Sequence, residues 1–117
     1  MFNRSNVITL SHEVKVIVPS TKDVNVNADS SAMVDFVAGE FSKLNGGATI
    51  TSGQGTWNSD KMGLVKEAVT VVSSSCVEVT DEVLACVYSI AQKILAEMSQ
   101  EAVSVSVDGI LYLVFPE

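Results

Sequence analysis

The 117-residue chain is short of cations: seven Lys and Arg against fourteen Asp and Glu leave a formal charge of −7 at pH 7. So few positive groups cannot neutralise a run of phosphates, which excludes ordinary nucleic-acid binding. Cysteine is also scarce. Cys76 and Cys86 stand ten positions apart with no CxxC pair, so neither a zinc site nor a disulfide framework is expected. Histidine occurs once, as His12, and no GxSxG, P-loop or HExxH pattern is present. No cationic stretch leads into a long apolar run. Neither a signal peptide nor a membrane span is therefore expected, and a reducing cytoplasm is the expected setting. Charged residues make up only 18% of the chain and hydrophobic residues 47%, a balance that excludes disorder and suits one compact domain.

What is present is a sequence of short, well-punctuated elements. Residues 1–12 are polar and then briefly apolar, an arm or edge strand, and residues 13–117 form the single domain. Val14-Lys15-Val16-Ile17-Val18, closed by Pro19, has the near-continuous apolar character of a central strand buried on both faces. A polar loop follows over 20–29. Asp29, Ser30 and Ser31 then offer N-cap oxygens to a helix whose Val34, Val37, Phe41 and Leu44 recur at spacings of 3, 4 and 3. Asn45-Gly46-Gly47 ends that helix. Ala48–Trp57 and the alternating Leu64–Val72 are expected to form a hairpin around a turn at 58–63, with Ser73-Ser74-Ser75 starting the next connection. Thr80 caps a second helix with a wide apolar face, and Asp81 and Glu82 favour its positive end. Gln100–Val107 and Ile110–Phe115 read as strands joined by the two-residue turn Asp108-Gly109.

The order β-α-β-β-α-β plus one strand predicts an α+β, ferredoxin-like fold: an antiparallel sheet with two helices on one face and an extra C-terminal strand. Because strands such as Val14–Val18 are apolar on both sides, the uncovered face needs a partner, and a homo-oligomer is expected.

Three features could carry chemistry. Gly46-Gly47-Ala48-Thr49, running on to Ser52-Gly53-Gln54-Gly55-Thr56-Trp57, exposes backbone N–H groups and hydroxyls that could hold a nucleoside or carboxylate. The same residues also suit a helix cap followed by a bulged edge strand. Glu67 is the one charged residue in the set Val65/Glu67/Val69/Val71, a position that is costly unless paired, open to water or used. Glu101, after the second helix, is either a solvated helix end or a second site carboxylate. Trp57 adds a flat surface that could stack on a base. His12, the two cysteines and the serine triplet read as a loop residue, small hydrophobes and turn residues.

The run Val14-Lys15-Val16-Ile17-Val18-Pro19, a helix, Gly46-Gly47-Ala48-Thr49, then Gly55-Thr56-Trp57 and Leu64-Val65-Lys66-Glu67 resembles small phage- and plasmid-type proteins. The layout over residues 13–107 resembles the phage S-adenosylmethionine lyases, formerly called hydrolases. That resemblance implies a ferredoxin-like trimer with its active sites between subunits. It also implies an aromatic residue and a glutamate on the central hairpin and a second glutamate after the second helix, matched here by Trp57, Glu67 and Glu101. The family carries a tyrosine where this chain has Trp57, so a phenol's hydrogen bond would have to come from Tyr88, from Tyr112 or from nowhere. In the implied reaction the substrate's own carboxylate attacks its side chain, giving methylthioadenosine and homoserine lactone, with no nucleophile, metal or cofactor from the protein. Glu67 and Glu101 would face the ammonium or sulfonium, and Gly46, Gly47, Thr49, Ser52, Gly53 and Gly55 the adenosine and carboxylate.

The expected function is a phage-type anti-defence protein acting on an adenosine-containing small molecule. The alternative is a sponge that sequesters a nucleotide immune signal without turning it over, although a single arginine, Arg4, is little with which to grip phosphates. A protein decoy that imitates nucleic acid ranks last, because the acidic residues are scattered rather than striped.

Overall fold

The computed structural model describes residues 1–20 and 29–117; most of the polar loop expected at 20–29 lies outside the described residues. The first strand, β1, runs His12–Pro19 and is followed by helix α1, Ser31–Asn45. A long hairpin, β2 (Thr49–Ser59) and β3 (Gly63–Cys76), leads to helix α2, Asp81–Glu97. The short strands β4 (Val103–Val107) and β5 (Ile110–Val114) complete the chain. The sheet order is β2-β3-β1-β4-β5 and every pairing is antiparallel. This is the ferredoxin-like α+β arrangement with one strand added beside β4.

Strand parity divides the sheet into two faces. Val14, Val16 and Val18 pair across the sheet with Val72, Val105 and their neighbours, and all five are buried. Against them pack Val34, Val37 and Phe41 of α1 and Val87, Ile90 and Ile94 of α2, in one continuous core. The helical stripe of the sequence is thus the stripe that meets the sheet. Lys15, Ile17, Val69, Val71, Leu111 and Leu113 have the opposite parity and stand on the open face.

The ends of the elements follow local chemistry. Thr80 Oγ1 accepts from Val83 N–H at 3.1 Å, capping α2. At α1 the cap comes from one residue earlier than the N-cap position: Asp29 Oδ1 accepts from both the N–H and the hydroxyl of Ser31. Gly46, at φ 94°, closes α1 in the left-handed region that glycine enters without steric cost. Asp108 and Gly109, at φ 51° and 81°, form the primed turn that matches the twist of a two-residue hairpin.

Two expectations are corrected. Ser73-Ser74-Ser75 continues β3 rather than starting a connection, because β1 offers it Lys15, Val14 and Glu13 as partners. The buried Ser74 hydroxyl is satisfied twice, donating to Gly47 O at 2.6 Å and accepting from Asn45 Nδ2 at 3.1 Å. His12 opens β1 instead of lying in a loop, and its Nδ1–H donates to Asp108 Oδ2 at 2.7 Å. Asp108 Oδ1 also accepts from Glu13 N–H at 2.9 Å, so the β4–β5 turn is clasped to the start of the first strand.

The hairpin outruns the sheet. β1 pairs with β3 only from Val69 to Cys76, so residues 63–68 pair with β2 alone and project as a two-stranded ribbon about 20 Å long. The molecule is accordingly elongated, 56 × 26 × 23 Å, and its radius of gyration is 15.4 Å. A compact chain of this length would have about 13 Å.

Candidate functional site

The residues singled out by sequence fall into three groups. The first is on the ribbon. Register places Gly55 opposite Glu67 and Trp57 opposite Val65, so Gly53, Gly55, Trp57, Val65, Glu67 and Val69 all share the open face. Glu67 and Trp57 are diagonal neighbours, about 7 Å apart at their bases and within reach of a large aromatic ring. The two glycines leave the floor beside them without side chains. A Cβ built on Gly53 would lie 3.5 Å from Val69, and one on Gly55 3.5 Å from Val69 and 3.9 Å from the Glu67 stem. These are ordinary contacts. The chain's own packing therefore does not require glycine at either position, and the bare floor is available to something else. A partly exposed tryptophan (Trp57 is 41% exposed), a carboxylate and a flat backbone floor are a chemical set suited to a cationic group.

The second group sits at the other end of β2. Gly46 and Gly47 form the α1–β2 connection and Thr49 opens β2 opposite Ser73, roughly 20 Å along the strand from Gly55. Gly47 already uses its carbonyl to hold Ser74. Ser52 pairs with Thr70 and so has the opposite parity, on the helix side of the sheet. Within one chain, the Gly46–Thr49 cluster, Ser52 and the Glu67–Trp57 cluster are not brought together.

Glu101 is the third group. It is exposed, just before β4, at the end of the sheet where β1 finishes and the ribbon begins. Two strand spacings, about 10 Å, separate the line of β4 from that of β3. The two tyrosines do not supply a phenol to the open face: Tyr88 belongs to α2, and Tyr112 pairs with the buried Val105 on the helix side.

Sequence reasoning passed over Thr51 and Ser73, which put hydroxyls on the same face as Glu67, and Ile17, which with Val71 extends its apolar floor. The signal was the period of two along a strand: residues sharing parity with Gly55 and Trp57 share their face.

The remaining reactive groups point away from catalysis. Burial pushes the thiols of Cys76 and Cys86 up, and Asp108 near the first and Glu40 and Glu82 near the second act in the same direction. Protonated thiols are weak nucleophiles. Two concavities on the helix side, of about 360 and 340 Å³, include Cys76 and Cys86 respectively, but none of the residues of the open face. Among the described residues no group of three or more His, Cys, Asp and Glu converges on a metal position. No helix among them is long and apolar enough to cross a membrane.

No family model matches the chain, and neither does any curated protein. Solved structures do. A phage SAM lyase in complex with S-methyl-5'-thioadenosine superposes with a TM-score of 0.67 at 16% identity, over 91% of this chain and 90% of its own. The chain shares its fold with phage SAM lyase. A structure of phage SAM lyase in the apo state agrees, with a TM-score of 0.69 at 13% identity over 98% of both chains. The likeness to phage SAM lyase thus runs nearly end to end.

Proposed function

We propose that the protein is a phage-type anti-defence protein that acts on S-adenosylmethionine as a lyase, releasing methylthioadenosine and homoserine lactone. The single observation that carries this is the end-to-end fold match with a SAM lyase that holds S-methyl-5'-thioadenosine. The substrate's carboxylate oxygen forms a bond to its own Cγ as the Cγ–S bond breaks, and the sulfur leaves with the bonding pair as a neutral thioether. No proton transfer or outside nucleophile is needed. The protein's work is to hold the chain bent and to balance the sulfonium and ammonium charges. In this proposal Glu67, with the Trp57 face, receives the cationic part over the Gly53–Gly55 floor, and Glu101 supplies the second carboxylate. Gly46, Gly47, Thr49 and Ser52 receive the remainder from a neighbouring copy, since they are remote from Glu67 in their own chain. A trimer with sites between subunits would join them.

The projecting ribbon supports an assembled state. A free two-stranded hairpin is marginal in water, and this one carries Trp57, Leu64 and Met62 exposed. Purified protein incubated with S-adenosylmethionine should yield methylthioadenosine and homoserine lactone by chromatography. Glu67→Gln should lower the yield at least a hundredfold, while an unchanged rate in that variant removes Glu67 from the site.

One observation favours the alternative, a sponge that binds a nucleotide signal without turnover: neither Tyr88 nor Tyr112 brings a phenol to the open face. In that case the wild type gives no methylthioadenosine, and heat-denatured protein releases its nucleotide intact.

A further inference from the structure

The strand β5 is an open edge of unusual composition. Its ladder groups on one side pair with β4, and among the described residues no strand lies on its other side. Edge strands ordinarily carry a charge, a proline, a bulge or a cover that discourages pairing. Ile110-Leu111-Tyr112-Leu113-Val114 has no charge, proline or glycine, and its register with β4 is unbroken. Leu111 and Leu113 are 61% and 58% exposed. The opposite edge, β2, is by contrast built of hydroxyls and glycines.

The strand is also symmetric about its middle. Counting outward from Tyr112, leucine meets leucine and then isoleucine meets valine, so the strand laid antiparallel on a copy of itself matches like with like at every position. The backbone has the phase such a pairing requires. Asp108 N–H donates to Glu13 O at 2.8 Å, which directs the even-numbered residues of β4 toward β1 and the odd-numbered ones toward β5. Val105 and Val107 therefore bond Tyr112 and Ile110, and the N–H and C=O groups of Leu111 and Leu113 point outward.

We propose that two copies of this chain join through β5, antiparallel, about a twofold axis at Tyr112, extending each five-stranded sheet into its partner. Leu111 of each copy exchanges both hydrogen bonds with Leu113 of the other, and the two Tyr112 residues form the central non-hydrogen-bonded pair. The contact is isologous and so closes on itself rather than growing into a fibre. It is independent of the proposed lyase activity, because it uses an edge and leaves the open face around Glu67 uncovered.

The test is the particle mass by light scattering, against 12.4 kDa for one chain. Leu111→Pro removes an outward N–H that β4 does not use, so the hairpin can tolerate it; the particle mass should halve relative to the wild type. Leu113→Lys, which keeps the backbone and adds a charge to the edge, should do the same and serves if the proline variant misfolds. Tyr112→Cys should cross-link to itself on mild oxidation, since paired Cα atoms of that type lie about 4.5 Å apart, within disulfide reach. Ile110→Cys should not. Equal masses for the wild type and Leu113→Lys would overturn the proposal, as would cross-linking of the Ile110→Cys variant in place of the Tyr112→Cys variant. So would an unmodified wild type that runs as a monomer or trimer and pairs only with an added extended peptide.

Discussion

Replacing Gly55 by alanine should strengthen the fold while damaging a ligand site on the open face. Positive φ occurs at Gly46, Gly63 and Gly109 but not at Gly55, so an L residue fits the backbone there. The added methyl would meet Val69 at 3.5 Å and the Glu67 stem at 3.9 Å, contacts without overlap. Glycine within a strand costs about 0.5–1 kcal/mol relative to alanine through the entropy of the unfolded chain. Unfolding entropy is near 2.1 cal/mol/K per residue, so for this chain the gain amounts to a rise in Tm of roughly 2–4 °C. The same methyl stands on the floor between Trp57 and Gly53, where the onium group of S-adenosylmethionine would lie. A tenfold or greater fall in kcat/KM is expected, a loss of at least about 1.4 kcal/mol. Calorimetry and the chromatographic assay on one preparation read both quantities. A drop in Tm would refute the packing argument, and full turnover at a raised Tm would refute the placement of the ligand.

Other perturbations probe separate parts of the molecule. Phe41, fully buried beneath α1, should cost about 3–5 kcal/mol when cut to alanine, a Tm loss above roughly 10 °C in a melting scan. Ser74→Ala leaves Gly47 O without its donor and should cost about 1–3 kcal/mol in denaturant unfolding, whereas Ser75→Ala, at an exposed position, should be neutral. Asp108 is held below its ordinary value of 3.8 by the hydrogen bond from His12 and then by that from Glu13 N–H. Its contribution is therefore complete above that value and lost as pH falls through its lowered folded value. Asp108→Asn should remove that contribution, lowering stability across the neutral range and flattening the acid limb of the stability–pH curve below about pH 4.

The local elements were legible because each carries its own signal. The 3-4-3 stripe of Val34, Val37, Phe41 and Leu44 marks α1, Thr80 marks the start of α2, and Asp108-Gly109 marks the last hairpin. What escaped was set by pairing between distant segments. A triple serine has the local chemistry of a turn, and only the presence of β1 alongside makes Ser73–Ser75 strand. The same holds for the site. Composition groups Ser52 with Gly53 and Gly55, but parity sends it to the other face, and register alone shows that β3 starts well before β1 can reach it. Gly46–Thr49 and Glu67 were close in pattern and are far apart along β2, a separation that a second copy of the chain would have to bridge.

The position of β1 also governs how the chain must assemble. The first strand made lies between β3 and β4, so its two neighbours arrive from far along the sequence, and its clasp to Asp108 spans 96 positions. Synthesis at roughly 5–20 residues per second leaves Val14–Val18 without its second flank for on the order of ten seconds. Until β3 is made this apolar strand has only α1 to pack against, and its β4 edge stays open for longer still. Such non-local closure makes the final docking of β4 the natural slow step of folding. Variants that loosen the His12–Asp108 clasp should accordingly be recovered as insoluble protein more often than their loss of equilibrium stability alone would suggest.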